Sequence, residues 1–197
     1  PLSSISIDEF RDNGIKFKND FIEIKKINFV GHYHMSPNED YILAYREHLK
    51  PKFVLLKGEE ILFQKKYIKS HDVDIANNGT FVINNWTSPQ ENRSTFYAFN
   101  NKGNAVIIKK FKANLYNNGI SDDGRYAVCQ SCSSQYLEDS NQLSFFDLNE
   151  CCQLWSITVE DWGDSYFFDL DNEELRIVYD EDDKDDKVFS FEGECLL

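Results

Sequence analysis

The chain has 197 residues, of which 41% are apolar and 15% are aromatic, and its formal net charge is −13. A chain of this length can bury one sizeable core, and its apolar content excludes a disordered protein. The net charge argues against nonspecific binding to nucleic acid or to an anionic membrane, because both need clustered lysine and arginine. It is compatible with a basic protein partner, since long-range attraction would speed encounter.

Strand-like runs follow one another along almost the whole chain. Residues 1–12 form a polar lead-in with a short helical turn predicted at 9–11. No window of a dozen residues after it has a sustained helical period, and the turns contain Asn-Asn-Gly at 77–79, Asn-Lys-Gly at 101–103 and Asp-Asp-Gly at 122–124. We therefore predict an all-β meander with strands at 14–18, 21–30, 41–46, 52–57, 60–67, 71–75, 80–86, 94–99, 104–111, 114–120, 125–131, 142–147, 152–159, 165–170, 174–180 and 187–192.

One phrase occurs four times in this meander. Each copy has a small residue or leucine, an Asp/Asn turn, and then a strand that opens on a large apolar residue. The copies begin at Ser36, Ala76, Ser121 and Leu170, so they start 40, 45 and 49 residues apart. A period in this range is typical of four-stranded propeller blades. We expect Tyr41, Phe81, Tyr126 and Leu175, which open the four strands, to be buried at equivalent positions.

The repeat predicts a propeller-like array of about four antiparallel blades in a single domain. The blades are placed at 28–67, 71–111, 114–159 and 164–197. The last blade is short of one strand, because few residues follow the run at 187–192. We expect residues 13–27, and 21–26 in particular, to supply the missing strand and close the ring.

Two local patterns resemble known propeller families. Gly31-His32 followed by Ser36-Pro37-Asn38 and an apolar strand resembles the start of a WD40 repeat. The turn at 146–150, followed by Leu154-Trp155, is similar to the outer hairpin of quinoprotein-like blades. No Trp-Asp dipeptide ends a blade, so the resemblance implies a propeller fold and no particular family.

Three histidines are the candidates for a metal or catalytic centre. His32 and His34 lie two residues apart, so they would share one face of an extended strand, and His71 opens the next blade. The alternative is that histidines at a blade entry bond loop carbonyls. We prefer this alternative, and so expect no metal and no cofactor. No Gly-x-Ser-x-Gly elbow or phosphate-binding glycine loop is present, so we favour a protein without catalysis.

Acidic residues in turns are the candidates for contact with a partner. Equivalent turns emerge on the same side of successive blades, so Asp122, Asp123 and Asp171 are expected to cluster. The run from 180 to 186 predicts an acidic hairpin loop, although such a run is more often merely solvated. The candidate residues in this loop are Asp180, Glu181, Asp182, Asp183, Asp185 and Asp186.

Cysteines and hydropathy favour a cytoplasmic protein. The five cysteines are an odd number and sparse for a disulfide scaffold. The first thirty residues contain no basic start followed by an apolar run, and no stretch is long enough to cross a membrane. The resulting hypothesis is a noncatalytic binding module or scaffold with an acidic rim, and a specific variant of it is an inhibitor or immunity-type protein for a basic partner. The alternative is a propeller hydrolase or lyase with its active site in the central channel.

Overall fold

The computed structural model describes residues 14–48, 50–66, 68–69, 72–88, 92–180 and 184–197. In this part of the chain, seventeen strands form four antiparallel sheets that follow each other along the sequence. The predicted turn at 9–11 lies outside the described residues. Two short 3₁₀ turns, Lys25–Ile27 and Leu137–Asp139, are the only helical segments among the described residues.

The first sheet has six strands and the second has four. The strands of the first sheet are β1 (Ile15–Lys18), β2 (Phe21–Ile24), β3 (Phe29–Met35), β4 (Tyr41–Arg46), β5 (Lys52–Lys57) and β6 (Glu60–Lys66). Those of the second are β7 (Asp72–Ile75), β8 (Phe81–Ser88), β9 (Arg93–Phe99) and β10 (Ala105–Phe111).

The third sheet has four strands and the fourth has three. The third contains β11 (Leu115–Ile120), β12 (Tyr126–Ser131), β13 (Gln142–Asp147) and β14 (Cys152–Thr158). The fourth contains β15 (Ser165–Asp169), β16 (Glu174–Val178) and β17 (Lys187–Ser190). After β17 the chain turns back, and Cys195 forms an isolated bridge with Phe189, so the C-terminal residues begin a fourth strand.

The repeated phrase marks the same position in all four sheets, as predicted. Tyr41, Phe81 and Tyr126 open the strand next to the innermost strand of their blade, and Leu175 is the second residue of the equivalent strand β16. The exposed fractions of these four residues are 7%, 0%, 7% and 0%. Strands β4, β8 and β12 are covered on both faces by neighbouring sheets or by the N-terminal hairpin, which explains why each begins with residues that are apolar on both faces. Strand β16 belongs to the last sheet, and it alternates buried Leu175 and Ile177 with the partly exposed Glu174 and the exposed Arg176.

The core consists of layers between consecutive sheets. Phe53 of the first sheet packs on Phe81 and Phe99 of the second, with ring centroids 5.4 and 5.5 Å apart. Phe96 of the second sheet stacks on Phe146 of the third at 4.9 Å. A further layer between the third and fourth sheets contains Tyr126, Phe145, Trp155, Leu175, Ile177, Phe189 and Phe191. Aromatic pairs at these distances add to the stabilisation from buried area.

The prediction that residues 21–26 close the ring is wrong. Strand β2 pairs with β1 and β3 inside the first sheet. Asn19 and Asn28 have φ of 47° and 48° and let the chain reverse on either side of β2. Strand β2 therefore pairs with its neighbours in sequence, because short loops cost little entropy to close. Among the described residues, no strand of the fourth sheet pairs with a strand of the first.

The β1–β2 hairpin instead covers one face of the first blade. Ile15, Ile22 and Ile24 are buried in a cluster with Phe29, Ile42, Ala44, Val54 and Leu56. This face lies opposite to the one that packs on the second sheet. The hairpin therefore takes the position that a preceding blade would take in a longer array.

Candidate functional site

The repeated phrase builds the same hydrogen-bonded turn in successive blades. The Ser36 hydroxyl donates to the Asn38 side chain at 2.7 Å and accepts from the Tyr41 amide at 3.0 Å. The Ser121 hydroxyl donates to the Asp123 carboxylate at 2.6 Å and accepts from the Tyr126 amide at 2.9 Å. In the first and third blades the serine thus fixes the start of the apolar strand, and the Asp123 carboxylate is used within its own turn.

These turns are also joined from blade to blade. The Asn38 amide donates to the Asn77 side chain at 2.7 Å, and the Asn77 amide donates to the Asp122 carbonyl at 2.8 Å. The Asn78 side chain donates to the Asp123 carbonyl at 2.7 Å. We call this side of the molecule, with the turns 36–40, 76–80, 121–125 and 170–173, the turn rim. Its hydrogen bonds hold three of the four turns in a fixed relation.

Acidic and apolar side chains line a cavity of about 540 Å³ at the turn rim, the turn-rim pocket. Asp122 from the third blade and Asp169 and Asp171 from the fourth supply its carboxylates. Phe167 and Leu170 line it as well, with exposed fractions of 59% and 39%. The predicted proximity of Asp122 and Asp171 is present, whereas Asp169, Phe167 and Leu170 were not among the candidates.

The three carboxylates of this pocket differ in what they already bind. Asp169 accepts hydrogen bonds from the Asn172 side chain and from the amides of Asn172 and Asp171. The bond from the Asn172 side chain, followed by that from its amide, lowers the pKa of Asp169 and keeps it ionised. Among the described residues, the carboxylates of Asp122 and Asp171 have no hydrogen-bond partner in the structure, so their oxygens remain able to accept from a ligand.

The described residues of the acidic run, Asp180 and 184–186, lie at the other end of the blades. Strand β16 runs from Glu174 to Val178, so Asp171 precedes it at one end and Asp180 follows it at the other. Asp185 is exposed, and Asp186 lies 3.8 Å from Arg176. Glu181, Asp182 and Asp183 lie outside the described residues. The sequence candidates therefore divide between two opposite rims and do not form one patch.

A second cavity, of about 300 Å³, lies at this opposite end, which we call the loop rim. Its walls are the aromatic rings of Tyr116, Trp162 and Tyr179. Three acidic residues also line this loop-rim pocket, namely Glu160, Asp161 and Asp164. Sequence reasoning missed it, because its walls come from β11, from the connection between β14 and β15, and from the residue after β16.

The two described histidine candidates do not share a site. The His34 Nδ1 atom lies 2.9 Å from the Val73 carbonyl oxygen and 3.8 Å from an Asp74 carboxylate oxygen. The His32 ring packs against Phe21 at 4.3 Å and lies 5.8 Å from the Tyr45 ring. His71 lies outside the described residues. The part of the chain that the structure describes contains no group of three His, Cys, Asp or Glu residues with the geometry of a metal site.

Two aspartates of β7 lie beside His34 and carry the most perturbed acidic groups. Asp72 accepts from the Asn118 amide at 2.9 Å, and Asp74 accepts from the Ile120 amide at 3.1 Å. Burial raises the pKa of Asp72 to about 6 and also raises the pKa of Asp74. Both carboxylates thereby link β7 to β11, where the two sheets have no backbone ladder.

Comparison with solved structures supports the architecture. A eukaryotic initiation factor superposes with a TM-score of 0.51 and 13% identity, over 94% of this chain and 62% of that one. Hydrazine synthase from Kuenenia stuttgartiensis gives 0.55 and 15% identity, over 84% of this chain and 47% of the other. BamB from Moraxella catarrhalis gives 0.54 and 15%, over 83% and 47%. The fold is a β-propeller type.

The chain spans about half to three-fifths of the length of these neighbours. At this identity they inform on the fold alone. No family model matches the sequence, and no curated protein matches it. None of the helices in the described residues is long and apolar enough to cross a membrane.

Proposed function

We propose that this propeller is a noncatalytic protein-binding module that holds a basic partner at its turn rim. The observation that carries the proposal is the turn-rim pocket, where the uncommitted carboxylates of Asp122 and Asp171 flank the exposed Phe167 and Leu170. A lysine or arginine side chain has an aliphatic stem and a cationic head, and this pocket offers a surface for each. A basic toxin or nuclease covered by an inhibitor is one partner with this chemistry.

The rigidity of the turn rim supports the same proposal. Three of its turns are joined by hydrogen bonds between blades, and the fourth is held by local bonds to Asp169, so little conformational entropy is lost when a partner binds. The net charge of −13 would also speed encounter with a basic protein.

The experiment compares two charge-matched double variants. The partner is captured from the source cells, identified, purified and measured by biolayer interferometry. Asp122→Asn/Asp171→Asn should weaken binding by roughly tenfold or more, chiefly through faster dissociation, because each carboxylate contacts the partner directly. Asp185→Asn/Asp186→Asn removes the same charge at the loop rim and should change the affinity by less than about threefold. Equal affinities of the wild type and the turn-rim variant would refute the proposal.

The second candidate is an enzyme, a propeller hydrolase or lyase with its active site in the central channel. The observation in its favour is Asp72, since a buried carboxyl with a pKa of about 6 is suited to proton transfer near neutral pH. Against it, Asp72 and Asp74 already accept hydrogen bonds from the backbone of β11. Turnover of chromogenic ester or glycoside substrates that is lost in Asp72→Asn and kept in Asp122→Asn would favour the enzyme.

A further inference from the structure

The loop-rim pocket combines two features that attract the same kind of ligand. Tyr116 and Trp162 stack with their centroids 5.2 Å apart, and their exposed fractions are 39% and 41%. Asp161 and Asp164 lie in the same lining. Aromatic faces carry negative potential, and carboxylates add full negative charge, so the pocket favours an organic cation over a neutral or anionic group.

A cation of this chain already lies in the pocket. The Lys184 ammonium is 3.3 Å from an Asp161 carboxylate oxygen and 5.8 Å from the centre of the Tyr179 ring. The side chains of Lys184 and Asp161 are 33% and 41% exposed, respectively. An ion pair with this exposure contributes little to stability, because water and salt screen it. A second cation that binds Asp161 would therefore replace an ion pair that itself contributes little to stability.

The Tyr179 hydroxyl is a second, independent sign of a ligand. Tyr179 is 7% exposed, and its hydroxyl is buried with no hydrogen-bond partner among the described residues. Burial first, and then Asp161, raise the pKa of Tyr179, so the phenol keeps its proton. A buried hydroxyl without a partner is costly, and it is found mostly where something else completes the site.

We propose that the loop-rim pocket binds a lysine side chain of a protein partner, and that Lys184 occupies the lysine position in the unbound protein. Lysine is favoured because the pocket already holds a lysine ammonium between a carboxylate and an aromatic ring. This inference rests on the proposed function in that it assumes a basic protein partner. It concerns the opposite rim, so an experiment can disprove binding at one of the two pockets without disproving it at the other.

Peptide titration monitored by NMR tests the site directly. The protein has three tryptophans, so its indole N–H region contains three signals. The signal that disappears in the variant Trp162→Phe is the one from Trp162. The probe is the blocked tripeptide acetyl-Gly-Lys-Gly-amide. It should shift the Trp162 signal saturably, while the Nε-acetyl-lysine form should not, since acetylation removes the charge. Equal shifts from both peptides would overturn the proposal.

The variant Lys184→Gln tests the role of the resident lysine. Removing the competing ammonium should tighten peptide binding by about two- to fivefold, the range set by the loss of one exposed ion pair. Lys187→Gln, three residues along, makes the same change in net charge and should leave the affinity unchanged. Unchanged or weaker binding by Lys184→Gln would contradict the proposal, as would an arginine peptide or free methylammonium that binds as tightly as the lysine peptide.

The variant Tyr179→Phe asks whether the unpaired hydroxyl belongs to the site. It should weaken peptide binding by about fivefold or more, because the hydroxyl can no longer form a hydrogen bond with a polar group of the peptide beside the ammonium, and it should not lower the melting temperature. Lower thermal stability with unchanged peptide binding would make the hydroxyl purely structural. The peptide could fail to bind while Asp122→Asn/Asp171→Asn still weakens the binding of the protein partner. That result would refute this inference and leave the proposed function standing.

Discussion

Asp72 and Asp74 show how single buried side chains take the place of a backbone ladder. Their carboxylates accept hydrogen bonds from the amides of Asn118 and Ile120, and the Asn118 side chain donates to the Asp72 carbonyl at 3.1 Å. The innermost strands of neighbouring blades do not form a common sheet, so these bonds fix their relative position. Burial makes the ionised form costly, which is why the pKa values of both groups are raised.

The first prediction at this scale concerns pH. The pKa of Asp72 in the folded protein is about 6, above its ordinary value of 3.8. Ionisation of Asp72 therefore destabilises the fold, fully above pH 6 and not at all below a pH of about 3.8. Stability should therefore rise as pH falls from 6 towards 4. Asp72→Asn can still accept from the Asn118 amide, and at pH 7 it should be as stable as the wild type or more stable, by up to about 3 kcal/mol.

Urea unfolding between pH 4 and 7 measures this effect. The slope of unfolding free energy against pH should be smaller in Asp72→Asn, with the remainder due in part to Asp74. The matched control is Asp185→Asn, an exposed aspartate whose replacement should leave the slope unchanged. A strongly destabilised Asp72→Asn at pH 7 would mean that the ionised carboxylate is needed to hold β7 against β11.

Only some of the site residues are predictable from sequence. Asp122 and Asp171 occupy equivalent positions in the repeated phrase, so the repeat predicts that they lie near each other, and both line the turn-rim pocket. Tyr116, Trp162 and Tyr179 of the loop-rim pocket lie outside the repeated phrase and are not regularly spaced in the sequence. They meet because three connections converge at one end of the third and fourth blades, and that convergence depends on how the sheets pack.

At the scale of elements, hydrophobic pattern identified most strands but failed near the N-terminus. The strands that end the four phrases were all predicted close to their observed positions, and three of them, β4, β8 and β12, begin with residues that are apolar on both faces. The run 21–30, in contrast, was expected to be one strand. It is broken by the 3₁₀ turn Lys25–Ile27, and β3 continues to Met35 through residues whose side chains are partly exposed. Asn28 at φ of 48° causes the break, and no hydrophobic pattern reveals it.

The second prediction tests the N-terminal hairpin as cover for the first blade. Ile22 is fully buried against this blade, whereas the adjacent Phe21 is 45% exposed. Ile22→Ala should lower the free energy of unfolding by about 2–5 kcal/mol, since it leaves a cavity in a packed layer. Urea denaturation provides the measurement, with Phe21→Ala as the neighbouring control. If Ile22→Ala cost no more than Phe21→Ala, the hairpin would not be part of the cooperative core.

At the scale of the whole molecule, four sheets form a rigid body with two chemically different ends. Aromatic layers join each sheet to the next, and side-chain hydrogen bonds link the turns across three blades. The turn rim presents carboxylates beside exposed apolar groups, while the loop rim presents a pocket of aromatic rings and acids. Both are features of loops that a fixed scaffold holds in place.

The effect of the protein's net charge on association can be separated from the direct contacts that Asp122 and Asp171 make with a partner. Both Asp122→Asn/Asp171→Asn and Asp185→Asn/Asp186→Asn reduce the net charge from −13 to about −11, so both should slow association with a basic partner at low salt. In about 0.5 M salt the screening length falls well below 10 Å, and both association rates should approach that of the wild type. Only the turn-rim variant should still dissociate faster, because its lost contacts lie within the interface. Stopped-flow and interferometry over a salt series measure the two rates. If the effect of the turn-rim variant disappeared entirely at high salt, Asp122 and Asp171 would act at a distance only, and the partner would bind elsewhere on the molecule.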